Sequence, residues 1–308
     1  MNFFKPHIAT TMTQDLATLN TSFALANTLH FADAAHGLPV AEINTPLATA
    51  RVALQGGQLL AWQPAGHKPV IWTSKAAVVE PGKGVRGGAP VCWPWFGALA
   101  GKGAHGFVRT RMWQMRESTL DAAGQVVLRL GIKDDGSTRA IWDQAFDLEL
   151  LVTVGRTLTL ALTTRNTSTE PMLITQALHT YFCTGDIAHT TVQGLDGCAY
   201  LDKVHHSATS RQIGAVRFEG ETDRIYADTT ADCLIEDAAG NRVIRVAKQG
   251  SASTVVWNPW SEREKAFADM AAGEYNHMLC VETCNAGPDQ VTVTPGEAHT
   301  LVARISVS

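Results

Sequence analysis

The stretch Leu158-Thr159-Leu160-Ala161-Leu162-Thr163 alternates apolar and polar residues with a rough period of two. Successive side chains of a β-strand point to opposite faces, so this period predicts a strand with one buried and one wetter face. Other short, β-rich segments lie at residues 126–132, 148–154 and 172–182. The chain is therefore predicted to form strands over most of its length.

Turn sequences separate these segments. They are Asp121-Ala122-Ala123-Gly124, Asp134-Asp135-Gly136, Asp237-Ala238-Ala239-Gly240-Asn241 and Pro295-Gly296. Many short strands with frequent turns favour an all-β sandwich or barrel over a sheet with alternating helices. One early helix is predicted over residues 13–31. We therefore expect a partly helical N-terminal segment over residues 1–35 and a single β-sandwich domain over residues 36–308.

Composition and charge limit the class of function. The chain has 308 residues, 45% of them hydrophobic, and its 25 basic and 29 acidic residues give a net charge of −4. This balance argues against nucleic-acid or membrane-surface binding, which usually needs a basic face. No apolar run is long enough to span a membrane, and residues 1–20 do not resemble a signal peptide. The six scattered cysteines are typical of reduced thiols, so we expect a cytoplasmic protein.

Cofactor motifs are either absent or in the wrong context. Gly82-Lys83-Gly84-Val85-Arg86-Gly87 matches the dinucleotide pattern G-x-G-x-x-G, but Pro81 and Pro90 flank it and prevent a helix from opening there. The acidic residue expected about 20 positions later is missing. Cys280 and Cys284 lack a second Cys/His pair at zinc-ligand spacing. We therefore expect neither a cofactor nor a metal.

Aromatic side chains are concentrated in the glycine-rich segment 82–97, where Trp93, Trp95 and Phe96 fall within four residues. Aromatic faces stack on the C–H faces of sugars, which suits a carbohydrate pocket. The alternative is that these rings plug one end of the sandwich. Arg86 lies in the same loop, and its guanidinium can fork onto a phosphate or a pair of hydroxyls.

Two further segments combine polar and aromatic residues. His105 and Arg109 lie close together just after the aromatic loop, and the alternative is a surface arginine beside a structural histidine. The segment Trp257-Asn258-Pro259-Trp260 can form a second wall of the cleft, and Asn258 in it can bind a hydroxyl. A buried structural turn is an equally good explanation of that segment.

An acid and a base interrupt two otherwise apolar strands. Alternation places His179 on one face with Ala177 and Tyr181, and it places Glu282 on one face with Cys280 and Cys284. A single strand histidine is more often a core residue with a satisfied hydrogen bond. An unpaired buried carboxylate, however, costs several kcal/mol, so Glu282 must be compensated or functional. Two such groups together predict a shared cleft.

Five motifs occur in a consistent order between residues 85 and 286. They are V-R-G-G-A-P-V-C-W-P-W-F-G, A-H-G-F-V-R, A-L-H-T-Y-F, E-T-D-R-I-Y and V-E-T-C-N-A. Together they resemble the hexose-6-phosphate mutarotase branch of the aldose 1-epimerase superfamily, the glucose-6-phosphate 1-epimerases. The resemblance implies a galactose mutarotase-like β-supersandwich. Ala104 is a departure, because some family members have Gln at that position.

The resemblance also implies roles for individual residues. His179 would be the catalytic acid and Glu282 the catalytic base. Arg86, Arg109 and Asp223 would bind the substrate, with the two arginines on the phosphate. His105, Trp95, Trp257 and Asn258 complete the predicted substrate-binding set.

The function implied is interconversion of the α and β anomers of a hexose 6-phosphate through ring opening and reclosure. One alternative is a mutarotase of unphosphorylated aldoses. Another is a non-catalytic sugar-binding sandwich, which would need no opposed acid and base. A small hexose phosphate is the expected partner, and we expect a monomer, because the face of a supersandwich is large enough to bury itself.

Overall fold

The computed structural model describes residues 14–308, and strands dominate this range. The α-helices are α1 Leu16–Phe23, α2 Gly136–Arg139 and α3 Trp260–Glu264, and single 3-10 turns lie at Val108–Thr110, Ile187–His189 and Glu274–His277. The strands are β1 Leu29–Asp33, β2 Pro39–Asn44, β3 Ala48–Ala53, β4 Gln58–Pro64, β5 Val91–Cys92, β6 Gln114–Leu120, β7 Val126–Lys133, β8 Phe146–Val154, β9 Leu158–Asn166, β10 Met172–Ile174, β11 Gln176–Leu178, β12 Tyr181–Cys183, β13 Thr190–Gln193, β14 Ala199–Asp202, β15 Ala208–Arg211, β16 Thr222–Tyr226, β17 Cys233–Asp237, β18 Arg242–Gln249, β19 Ser253–Asn258, β20 Met278–Asn285, β21 Val291–Val293 and β22 Ala298–Val307.

Two eight-stranded antiparallel sheets form the body of the fold. One, called here the site sheet, has the order β15-β14-β16-β19-β20-β11-β5, and β12 also pairs with β20. The other, the back sheet, has the order β13-β17-β18-β22-β9-β8-β7-β6. Strands β1 to β4 form a four-stranded sheet, and β10 pairs with β21. The expected all-β fold is confirmed.

The back sheet has one dry face and one wetter face. Strands β8 and β9 each alternate strictly between buried and partly exposed residues, as expected when one face packs on a core. Their inward residues, such as Leu150 and Leu160, belong to one large hydrophobic cluster that also contains Val256, Leu279 and Val281 of the site sheet. This cluster is the core of the sandwich.

Strand β20 differs because every one of its residues is buried. Leu279 and Val281 point into the sandwich core, whereas Cys280 and Cys284 belong to smaller clusters on the other face of the site sheet. The outer face of this sheet is therefore covered as well. That covered outer face is where Glu282 lies.

The predicted elements differ from the observed ones in three places. The segment 172–182 forms three short strands instead of one, with a break at His179 and Thr180. The early helix spans only Leu16–Phe23, starting after Asp15, whose carboxylate accepts a hydrogen bond from the Thr18 amide; Thr13 lies outside the described residues. Strand β1 pairs with β2 across the boundary expected at residue 35, so this part of the N-terminal segment belongs to the first sheet. A single domain over residues 36–308 remains a prediction.

Two other expectations concern membranes and disulfides. Among residues 14–308, no helix is long and apolar enough to cross a membrane. The six cysteines all lie in this range, and each is a free thiol.

A glycine-rich loop at residues 97–106 carries His105 and is closed by backbone contacts. The His105 amide donates to the Gly97 carbonyl at 2.9 Å, and the Phe107 amide donates to the Trp93 carbonyl at 3.1 Å. Gly106 has a φ of +69° and lies against the Trp93 carbonyl, so a Cβ there would overlap that oxygen. The loop can close under His105 only because residue 106 has no side chain.

We predict that Gly106→Ala destabilises the protein more than Gly101→Ala. Both glycines have positive φ, at +69° and +74°, so each substitution incurs about 1–2 kcal/mol of backbone strain. A Cβ at Gly101 meets no atom within 4 Å, whereas one at Gly106 adds roughly 1–3 kcal/mol of overpacking. Thermal unfolding of the two variants measures the difference. Equal melting temperatures would contradict this account of the loop.

Candidate active site

His179 and Glu282 face each other across a break in the strand pairing. Leu178 pairs with Thr283 and Tyr181 pairs with Cys280, so β11 and β12 follow β20 in one register that places His179 opposite Glu282. At the break, the Thr180 amide donates to the Leu178 carbonyl at 2.8 Å in a tight turn, and the His179 amide donates to the Pro90 carbonyl at 3.0 Å. The His179 Nε2 atom lies 3.4 Å from Glu282 Oε1.

Burial shifts both members of this pair towards their neutral forms. The Glu282 side chain is 1% exposed, and burial raises its pKa well above the ordinary value, with a smaller effect from the Asp223 charge. Burial lowers the pKa of His179, and the charges of His105, Arg86 and Arg109 add to this effect. Among the described residues, Glu282 Oε2 and His179 Nδ1 have no hydrogen-bond partner. Burial therefore favours the neutral form of each group, and Glu282 Oε2 and His179 Nδ1 are available to a ligand.

Three rings surround the imidazole of His179. Tyr181 stacks on it with ring centroids 4.9 Å apart and planes 13° apart. His105 and Trp257 approach edge-on at 5.6 Å and 6.1 Å. The structure thus places the rings of His105 and Trp257 beside His179, which faces Glu282.

His105 is held in an unusual backbone conformation and in one tautomer. Its φ is +64°, and its Nδ1 atom accepts a hydrogen bond from the Gly97 amide at 3.3 Å. Burial lowers the pKa of His105 to about 4, with help from the charges of Arg109 and Arg86. The imidazole is therefore neutral at pH 7, with a proton on Nε2 that it can donate to a ligand.

Arg86 lies at the edge of the site in a network of three partners. Its Nε and NH2 atoms are each 3.1 Å from Asp269 Oδ1, and its NH1 atom donates to the Tyr181 hydroxyl at 3.3 Å. Its guanidinium lies 4.5 Å above the ring of Phe267. A guanidinium has five N–H donors. Three of them are used here, so two remain for an anion.

Arg109 and Asp223 lie on two other sides of the site. The Arg109 NH2 atom donates to the Ala104 carbonyl at 3.2 Å, and its Nε atom is buried without a hydrogen-bond partner in the described part of the chain. Asp223 lies on β16 beside Trp257, and burial raises its pKa to about 6. No side chain within residues 14–308 hydrogen-bonds the Asp223 carboxylate. It is therefore a free acceptor for a ligand hydroxyl.

Two of the predicted site residues, Trp95 and Asn258, make their main contacts within the protein. The Trp95 side chain is packed in the sandwich core against Phe107, and its indole N–H donates to the Gly103 carbonyl at 2.8 Å. Asn258 is 0% exposed; its amide nitrogen donates to the carbonyls of Tyr275 and Met278, and its oxygen accepts from the Trp260 amide. Core packing thus holds the Trp95 side chain, and backbone groups satisfy the polar atoms of Asn258; a role of either residue in substrate binding stays a prediction.

The sequence did not assign roles to several residues at the site. Tyr181 links His179 to Arg86, and the strand alternation that placed it beside His179 was the available signal. Asp269 and Phe267 reach Arg86 from the loop after α3. Cys280 also belongs to the site, because donor atoms of His179, Cys280 and Glu282 lie within 4.8 Å of one another.

The arrangement can move protons to and from a small polar ligand. Two facing groups that can each carry a proton lie 3.4 Å apart, and neutral or acceptor groups around them can orient hydroxyls. The sequence profile of the family described as Aldose 1-epimerase matches residues 39–306, most of the chain. The chain belongs to the aldose 1-epimerase family. Its members are isomerases, and the two facing groups, His179 and Glu282, occupy the centre of the site in this chain.

Individual relatives are consistent with this assignment. The Escherichia coli K12 protein named "Putative glucose-6-phosphate 1-epimerase" is 36% identical over 260 residues, which cover 83% of this chain and 86% of that protein. The crystal structure of YeaD from Salmonella typhimurium, named a "putative mutarotase", has a TM-score of 0.87 and 32% identity, and covers 93% of this chain and 95% of that one. A galactose mutarotase related enzyme from Lactobacillus acidophilus has a TM-score of 0.69 at 12% identity, over 87% of this chain and 97% of that one. The expected galactose mutarotase-like fold is confirmed.

We predict that Glu282→Gln stabilises the protein at high pH. Because the folded state raises the pKa of Glu282, it binds a proton more tightly than the unfolded state does. Stability therefore falls as pH rises from the unfolded pKa through the folded pKa, and a glutamine does not titrate. The melting temperature of Glu282→Gln should exceed that of the wild type at pH 8, and the difference should shrink towards pH 5. A difference that does not depend on pH would contradict the raised pKa.

Proposed function

We propose that this isomerase interconverts the α and β anomers of a hexose 6-phosphate of the glucose 6-phosphate type. The observation that carries the proposal is the pair His179–Glu282, 3.4 Å apart and buried, with the free donors of Arg86 nearby. The names of the relatives from Escherichia coli and other organisms support the choice of substrate.

Anomer exchange needs one proton removed from the O1 hydroxyl and one delivered to the ring oxygen. In the proposed mechanism, Glu282 takes the O1 proton and His179 protonates the ring oxygen, so the ring opens to the aldehyde. Rotation about C1–C2 and closure from the other face return both protons and give the other anomer. Each proton transfer is expected to contribute on the order of 10²–10⁴-fold.

The protonation state of the resting pair fits this cycle. The cycle requires one proton on the pair at its start and one at its end. In the free protein, burial raises the pKa of Glu282 and lowers that of His179, which favours a proton on Glu282 over a charged pair. Transfer of a proton from Glu282 to His179 across the 3.4 Å gap gives the charged pair that acts on the sugar. The number of protons on the pair does not change in this step.

The residues around the pair supply the binding contacts of the proposal. His105 donates from Nε2 to a sugar oxygen, Asp223 accepts from a hydroxyl, and the ring of Trp257 covers a C–H face. The free N–H groups of Arg86 and the guanidinium of Arg109 bind the phosphate. Because the phosphate does not react, its binding energy can orient the ring at no cost to the chemistry.

One observation favours a second candidate, a mutarotase of unphosphorylated aldoses. Asp269 already neutralises Arg86, with both the Nε and NH2 atoms on one carboxylate oxygen. An arginine so paired attracts a phosphate less strongly than a free one.

The cytoplasmic location and the monomeric state that the sequence suggested remain predictions.

We predict that His179→Ala and Glu282→Ala each reduce anomer exchange by roughly 10²–10⁴-fold. Saturation-transfer NMR of glucose 6-phosphate measures the exchange above the uncatalysed rate. Thermal unfolding shows whether each variant is folded. Folded variants with near-wild-type exchange would rule out the acid-base pair.

We predict that Arg86→Ala lowers kcat/KM for glucose 6-phosphate by roughly 10- to 100-fold, the value of a charge-assisted hydrogen bond. For free glucose the same change should have little effect. Arg129→Ala is a matched control, because Arg129 also pairs with carboxylates, Glu117 and Glu149, but lies on the back sheet. An equal loss on both sugars would favour the unphosphorylated substrate.

A further inference from the structure

Cys280 lies in the site but has no part in the proposed mechanism. It alternates with Glu282 along β20, and both side chains lie on the outer face of the site sheet, where His179 stands opposite Glu282. One donor atom each from His179, Cys280 and Glu282 lies within 4.8 Å of the others. The three donors are a nitrogen, a sulfur and an oxygen.

The spacing is close to that of a tetrahedral metal site. Zinc–ligand bonds of about 2.0–2.3 Å require donors roughly 3.3–3.8 Å apart. His179 Nε2 and Glu282 Oε1 are already 3.4 Å apart, and the upper bound of 4.8 Å on the separations among the three donors exceeds that range by only about 1 Å. A rotation of one side chain can supply such a shift.

The site also contains a buried polar atom without a partner. Glu282 is 1% exposed, and its Oε2 atom has no hydrogen-bond partner within the described range 14–308. The Cys280 thiol makes no hydrogen bond to any residue of that range. A cation bound between the three side chains would compensate the carboxylate and remove the cost of burying it.

We propose that His179, Cys280 and Glu282 form a binding site for a soft divalent cation of the zinc type, and that the bound cation blocks mutarotation. One nitrogen, one sulfur and one oxygen donor suit zinc, whereas magnesium and calcium require oxygen donors. The fourth position of the tetrahedron stays open to water or a sugar hydroxyl. On binding, the thiol proton and any proton on Glu282 are released to solvent, so the thiolate and carboxylate balance the two charges of the cation.

The blocking effect rests on the proposed function, whereas the binding site does not. The cation would occupy His179 Nε2 and the Glu282 carboxylate, the atoms that exchange protons with the sugar. Zinc and substrate would then compete for the site. Inhibition would be reversible, because a chelator removes the cation.

Zinc affinity of the full-length protein, freed of metal by chelation, tests the site directly. Competition with a chromogenic chelator should show one site in the wild type that is weakened by more than roughly 100-fold in Cys280→Ser, since even partners of metal ligands contribute 10- to 100-fold. Cys284→Ser is the matched control. Cys284 is also fully buried on the same face of β20, but its sulfur contacts Ser253 Oγ at 3.3 Å. This control should bind zinc like the wild type.

Cobalt gives an independent readout of the sulfur ligand. The wild type and Cys284→Ser should show a thiolate-to-cobalt charge-transfer band that Cys280→Ser lacks. Equal zinc affinity in the wild type and Cys280→Ser, or a thiolate band that persists in Cys280→Ser, would overturn the proposal. If thermal unfolding shows that Cys280→Ser does not fold, Glu282→Gln takes its place, and unchanged zinc affinity in that variant overturns the proposal equally.

Activity measurements separate this inference from the proposed function. Micromolar zinc should slow anomer exchange in the wild type, and a chelator should restore the rate. In Cys280→Ser, the exchange rate with zinc should stay close to the rate of the same variant without metal. Zinc binding through Cys280 in a protein without exchange activity would support the metal site and refute the proposed function. Exchange activity that zinc leaves unchanged would refute the inference alone.

Discussion

The site depends on one constraint, the common register in which β11 and β12 follow β20. Leu178–Thr283 and Tyr181–Cys280 belong to the same ladder although the strand is broken between them. A shift of one residue on either side of the break would turn a side chain to the opposite face of the sheet. Because the register is kept, His179 meets Glu282, and Tyr181 stays beside the imidazole. The break itself directs the His179 amide to Pro90 instead of to β20.

Two buried glutamates hold the loop that completes the site. Glu274 accepts hydrogen bonds from Ser74 and from the amides of Lys75 and Ala271. Glu264 accepts hydrogen bonds from the amides of Gly273 and Tyr275. Both carboxylates thus receive backbone donors, unlike Glu282. They fix the segment between α3 and β20, which carries Phe267 and Asp269 to Arg86.

Much of the fold and the centre of the site follow from alternation in the sequence. The period of two in β9 predicted a half-buried strand, and it placed Glu282 with Cys280 and His179 with Tyr181 on faces that the structure confirms. That His179 and Glu282 meet came from the family resemblance, since a strand pattern does not tell which strands are neighbours. The break at His179 was missed because its residues continue the β-rich pattern.

The remaining differences come from tertiary contacts that local sequence does not encode. Arg86 and Asp269 are 183 positions apart and meet only through the loop after α3. The sequence predicted that Asn258 binds a hydroxyl. In the structure, its amide nitrogen donates to the carbonyls of Tyr275 and Met278. Trp95 stands beside Trp93 in a sugar-like aromatic cluster, yet both indoles are packed in the sandwich core. In each case the contacts are made by residues far away in sequence or by backbone groups, which the local pattern does not show.

Strand β20 is buried on both faces and paired along both edges, whereas His105 stands on a glycine-rich loop closed by a few backbone contacts. Native-state hydrogen exchange reflects such differences in local opening. Amides beside Glu282 should exchange only when the whole sandwich opens, and those of residues 97–106 should exchange through small local openings. Strand β20, which holds Glu282, is thus expected to open less readily than the loop that carries His105.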